Sequence, residues 1–426
     1  MAARTDYDWS HLRSISKRFV ALFAILLVMT LLTLEAIVHQ IQEGLVVTDL
    51  AQQGTQAGTT WGLYIGTFEL FAGMAVGTLA ITGYIRFYEF EEYALVARIA
   101  NIWAFITGLT AAWLIIIDLG TPHRVLIILQ QWPETVLHSP LAWDVTFVTT
   151  LMVFTLTMLV ISLRLDFVKS ESSPPLHTAI VKRLVTIGAT PAEIPKLEEM
   201  RKWLGLGLLV LAFTAGLIPG ILLGVVGVQP GFFGREQGIV FVVSGLAAGT
   251  ALITLTASIL RMQFSWRDKL SNRVMRGLGQ ALTLFGFVWL IVIFNDIIMG
   301  LTGMMSFFEG KISDAMLFGE LAVMFWGSVI LVAVPTVLLA IFKYRLDLRL
   351  QSLFAVSVLF GIWIKSNLKV AEPLLYPMLP GFDGTYFPTL VEWIITLGAG
   401  AIAVLLFIMF VKVIPLARED SEEVKR

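Results

Sequence analysis

Glu69, Asp118 and Asp144 are the residues whose type and setting best suit chemistry, because each carboxyl group lies in or at the edge of a long apolar run. An ionisable side chain at membrane depth costs at least about 2.5–3.5 kcal/mol, so such a residue is a functional candidate by default. Glu35, His39, His123 and Arg124 stand near the same ends of their own apolar runs. Acids, imidazoles and a guanidinium beside apolar walls suit a quinone. Its ring and tail need an apolar cleft, and its two carbonyl oxygens need hydrogen-bonding groups that exchange protons as electrons move. His39, Asp118, His123, Arg124 and Asp144 are the expected head-group contacts, Trp61 and Trp143 the expected cavity walls, and Glu35 and Glu69 the expected proton-exchanging carboxyls. In the second half, Asp296 and Glu320 are the candidates for extending a proton path. The competing role for Asp118, Asp144 and Glu392 is to cap helices or pair with Arg124 or lysines. For Glu69 it is a hydrogen-bonded packing carboxyl.

Composition narrows the chemistry further. The chain has no cysteine, which excludes disulfides, thiolate-held iron–sulfur clusters and thiolate metal sites of its own. Of the five histidines, only His39, His123 and His138 fall near apolar runs, all at their edges. A haem held between two facing histidines is therefore not expected. A quinone site with no redox metal must exchange electrons with a neighbouring subunit. Hydrophobic residues make up 57% of the chain and charged residues 14%, against about 25% charged in a soluble domain. The chain is thus spent on membrane spans and their connections, with no soluble catalytic domain, and no nucleic-acid partner is expected.

A membrane core about 30 Å thick takes roughly 20 apolar residues to cross. Ten stretches qualify: about 19–39, 62–85, 99–118, 141–163, 203–226, 238–260, 277–298, 316–341, 351–368 and 390–413. Arg13, Lys17 and Arg18 precede the first, as in a signal peptide, but its length and Glu35 favour a retained span. With ten spans and both termini on one side, 25 of the 30 Lys and Arg residues fall on that side and 5 on the other. That asymmetry places both termini in the cytoplasm. The expected fold is an all-α integral membrane protein.

Residues 73–82 and 245–254 agree at six of ten positions, and the next span in each half runs from an arginine to an aspartate, Arg98 to Asp118 and Arg276 to Asp296. This predicts two four-helix bundles in parallel repeat, with glycines four apart permitting close helix approach. The expected division is a first bundle over 1–163, a cytoplasmic connection over 164–202, a second bundle over 203–341 and two further helices over 342–426. The outer connection at 369–389, rich in proline, glycine and aromatic residues, reads as stiff and suited to docking.

Several motifs carry a family resemblance. Residues 61–77 (WGLYIGTFELFAGMAVG), 118–124 (DLGTPHR), 139–145 (SPLAWDV) and 386–392 (YFPTLVE) resemble, in order and spacing, motifs of the NrfD/PsrC family, the membrane subunits of polysulfide reductases, in its ten-helix branch. Thr121 stands where that family usually has arginine. The resemblance implies a prokaryotic plasma-membrane subunit with a quinone site (menaquinone or ubiquinone type) near the outer face of the first bundle. It also implies docking to an outer ferredoxin-like iron–sulfur subunit, linked to a catalytic subunit of molybdopterin oxidoreductase or hydrogenase type. The rival from another class is a proton-coupled secondary transporter, where inverted repeats and helices broken near the midplane are more usual.

Overall fold

The computed structural model of the chain describes residues 6–7, 16–52, 61–170, 174–226, 237–264, 266–302, 307–341, 347–375, 386–416 and 418–419. Among the described residues, ten helices are long and apolar enough to cross a membrane. They are α1 (Lys17–Glu43), α2 (Leu63–Phe87), α3 (Ala94–Asp118), α4 (Pro140–Lys169) and α5 (Ile194–Val226). The second five are α6 (Gln237–Phe264), α7 (Asn272–Leu301), α8 (Ala322–Ala340), α9 (Leu348–Leu375) and α10 (Leu390–Val413). Helices satisfy every backbone polar group internally, which is what hydrocarbon demands of a spanning segment. The chain is a multi-pass, all-α membrane protein, as expected.

The eighth span begins later than the sequence suggested. A separate helix, Phe307–Leu317, ends where the Gly319 N–H reaches back to the Asp314 and Ala315 carbonyls, and α8 starts after it.

The helices also group one position later than the division at 163 and 341. α2 packs on α3 and α5, and α4 packs on the same two; α6 packs on α7 and α9, and so does α8. Taken as a first bundle α2–α5 and a second α6–α9, the two are joined by α2 against α6 and α9 and by α5 against α6, with α1 and α10 paired beside them. The cause is the apolar surface of α1, most of which points away from the protein. Its inward strip packs mainly on α10, where the absence of a side chain at Gly398 makes room for Thr33.

α2 also packs on α6 and so joins the bundles. Gly73 lies against Gly245, and Gly77 against both Gly245 and Gly249. Pairing in that register requires the two helices to run the same way. Backbones meet there without side chains between them, the close approach that small residues permit.

The opposite end from the carboxylates is held by charge. Arg98 pairs with Asp166, and its Nη1 donates to the Pro415 carbonyl (2.5 Å), tying α3, α4 and the end of α10 together. Arg164–Glu193 (2.9 Å) and Lys169–Glu198 (2.5 Å) join α4 to the start of α5. Asp6–Tyr7 pairs antiparallel with Arg418–Glu419, which brings the two ends of the chain to the same side.

Candidate functional site

Glu69 sits two turns into α2, Asp118 ends α3, and Asp144 lies in the second turn of α4, which begins at Pro140. Proline is well placed at a helix start, where its missing N–H has no partner to lose. The three carboxyl groups line one cavity of about 200 Å³ inside the first bundle. Trp61, Ile65 and Phe68 supply one wall, Ile115 and Leu119 a second, and Ser139 and Leu141 a third, while Pro219 and Leu222 of α5 close it. Three acids from three helices thus face a space with mostly apolar walls. At this volume, below the roughly 300–1,000 Å³ of sites for drug-sized ligands, the cavity suits a single ring system.

The three acids differ in their surroundings. Glu69 is buried, and its Oε1 lies 3.1 Å from Nζ of Lys369 on α9. A residue of the second bundle thus neutralises the deepest carboxylate of the first. Asp144 is 3% exposed and Asp118 half-buried. Among the described residues neither has a hydrogen-bond or ion-pair partner. Buried polar groups are almost always paired, so both suit contact with a polar ligand. The described residues hold no group of three or more His, Cys, Asp or Glu suited to a metal ion.

Above the cavity a second polar network joins the connections. Tyr64 donates to Gln40 Oε1 (2.7 Å), and Gln40 Nε2 donates to the Ile117 carbonyl (3.1 Å). Fully buried Glu392 accepts from the Tyr386 hydroxyl (2.7 Å) and from the backbone N–H groups of Asp49 (3.1 Å) and Thr389 (2.9 Å). Tyr386 accepts in turn from the Leu63 N–H (2.8 Å), at the start of α2. Burial, then the neighbouring Glu392 carboxylate, push the Tyr386 phenol pKa upward.

Of the residues singled out from sequence, Glu69, Asp118, Asp144 and Trp61 come together. The others do not join them. Glu35 and His39 face outward from α1, and the inward polar residue there is Gln40, since neighbouring helical positions point about 100° apart. His123 and Arg124 are exposed on a short turn after α3. The Trp143 indole folds back to donate to the Val136 carbonyl and is 47% exposed, so it is no wall of the cavity. Glu320 faces outward, and the side chain of Asp296 and residues 376–385 of the outer connection lie outside the described residues. Lys369 was missed as a partner because a lysine near a span end reads as snorkelling. The available signal was that a deep carboxylate such as Glu69 calls for a cation.

Known proteins resemble this chain in sequence. The chain is 26% identical over 386 residues to a selenate reductase subunit of Mesobacillus selenatarsenatis, covering 85% of this chain and 88% of the relative. It is 30% identical over 131 residues to the putative membrane subunit of a dimethyl sulfoxide reductase of Halobacterium salinarum, covering 31% and 28% of the two chains. A probable Ni/Fe-hydrogenase 2 b-type cytochrome subunit of Escherichia coli is 32% identical over 112 residues, covering 26% and 27%. The family model described as polysulphide reductase, NrfD, matches residues 51–367, which include every lining residue of the cavity. The chain belongs to the NrfD polysulphide reductase family of membrane proteins.

Proposed function

We propose that this chain is the quinone-reactive membrane subunit of a respiratory oxidoreductase complex in a prokaryotic plasma membrane. In this reading it exchanges electrons with a ferredoxin-like iron–sulfur subunit on the outer side, which connects to a catalytic subunit of molybdopterin or hydrogenase type. The relatives support membership of an oxidoreductase complex, since their names are those of reductase and hydrogenase subunits. The observation that carries the quinone reading is the outer cavity, in which Asp118 and Asp144 face apolar walls without protein partners among the described residues.

A quinone, of menaquinone or ubiquinone type, would supply two-electron, two-proton carrier chemistry. The residues of this chain supply the rest. Trp61, Ile65 and Phe68 exclude water from the ring site. Asp118 and Asp144 hold or give protons at their carboxyl oxygens, on opposite helices of the cavity. Glu69, tied to Lys369, is the inner proton-exchanging carboxyl. Asp118→Asn and Asp144→Asn in the assembled complex are expected to lower quinone-linked turnover by about 10²–10⁴-fold, the range for general acid–base groups, with subunit assembly intact, and Glu69→Gln is expected to lower it similarly also when Lys369→Met removes the charge left unpaired. Unchanged turnover in all three would remove the proposal. Proton conduction through the second bundle by Asp296 and Glu320 is a further part of it. Proton-to-electron ratios unchanged in Asp296→Asn and Glu320→Gln would remove that part alone.

A further inference from the structure

A second cavity, of about 890 Å³, lies at the other end of the molecule, in the second bundle. It forms where the last turn of α6 (Arg261, Met262), the α6–α7 connection (Arg267), the start of α7 (Asn272) and the start of α9 with the residue before it (Asp347, Arg349) meet. Three guanidinium groups face this space, and the one acid among its described lining residues is already engaged. Asp347 Oδ1 accepts from the backbone N–H groups of Arg349 (3.0 Å) and Leu350 (3.2 Å), capping α9. Within the described residues none of the three arginines forms an ion pair. Arg261 is only 9% exposed; its Nη2 donates to Asn272 Oδ1 (2.6 Å), while its buried Nε has no acceptor among the described residues. α7 and α9 both begin at the cavity and add the positive ends of their dipoles.

We propose that this cavity binds the phosphate group of an anionic phospholipid drawn from the adjacent leaflet. Guanidinium forks match phosphate oxygens in pairs, and basic pockets between helix ends on the cytoplasmic side suit lipid headgroups. The cavity sits at the end of the bundle that carries the excess of Lys and Arg, the side expected to face the cytoplasm. A lipid fits better than free phosphate because Met262, 43% exposed beside the arginines, carries apolar surface outward where an acyl chain would run.

The test uses the full-length protein in nanodiscs of phosphatidylcholine with a minor share of phosphatidylglycerol, followed by native mass spectrometry. Wild type is expected to retain phosphatidylglycerol preferentially. Arg267 and Arg349 are exposed, so R267Q/R349Q should keep its thermal unfolding midpoint while losing that preference by roughly tenfold or more. R261Q should lose it as well. Equal retention of the two lipids by wild type, or full preference in R267Q/R349Q, would overturn the proposal. Stabilisation by millimolar inorganic phosphate in discs of phosphatidylcholine alone, with no further gain from phosphatidylglycerol, would overturn the lipid assignment.

Discussion

Lys369 and Glu69 act as one unit, because either charge left alone at that depth is costly. Breaking a buried pair on one side costs about 3–5 kcal/mol, more than removing both partners. Lys369→Met is therefore expected to lower the thermal midpoint in detergent, and Lys369→Met with Glu69→Gln to recover much of the loss. A double variant no more stable than Lys369→Met would contradict the pairing. Tyr386 allows a test by pH. Its folded phenol has a raised pKa, from burial first and Glu392 second, so folding favours the neutral form. That contribution is whole below the ordinary tyrosine value of about 10 and is lost as pH climbs beyond it, where the unfolded phenol ionises and the folded one does not. Stability of wild type should fall more steeply above about pH 10 than that of Tyr386→Phe, and equal slopes would count against it. Glu69, Asp118 and Asp144 were legible from sequence because carboxyls in apolar runs are rare and costly. The outward turn of His39 and Trp143 was not, since one position along a helix changes the face and the apolar pattern of α1 is nearly uniform.

The seam between α2 and α6 depends on bare backbone. A methyl at Gly77 would collide with the Gly245 backbone, which cannot yield as a side chain could, whereas a methyl at Gly400 meets nothing within 4 Å. Gly77→Ala is expected to shift the thermal midpoint down and broaden the elution profile, and Gly400→Ala to change neither. A seam tolerant of Gly77→Ala would mean the bundles do not meet there. The ten spans were readable because length and hydropathy suffice to define a crossing. Which spans share a bundle was not, because lipid-facing and protein-facing apolar surfaces look alike in sequence. The glycine motifs pointed to close helix packing, and the structure places them where α2 meets α6, yet they carried no information on where each four-helix unit begins. That is why α1 was counted with the first bundle, although it packs on α10.

At the scale of the whole molecule, the acids gather toward one end and the basic ion pairs and paired termini toward the other. The same-direction contact of α2 and α6 differs from the inverted repeats common in secondary transporters. Orientation has a clean test, because the chain has no cysteine. Thr135→Cys should react with a membrane-impermeant maleimide in intact cells, and Thr186→Cys only after permeabilisation; the reverse pattern would invert the topology. The central claim is that the outer cavity of α2–α5 receives a quinone ring between Asp118 and Asp144. A photoreactive quinone, activated in the purified complex and located by peptide mass spectrometry, tests it most directly. Attachment is expected within residues 61–69, 115–119, 139–144 and 219–222, and should be suppressed in Asp144→Leu. Attachment confined to other helices, at full yield in that variant, would contradict it.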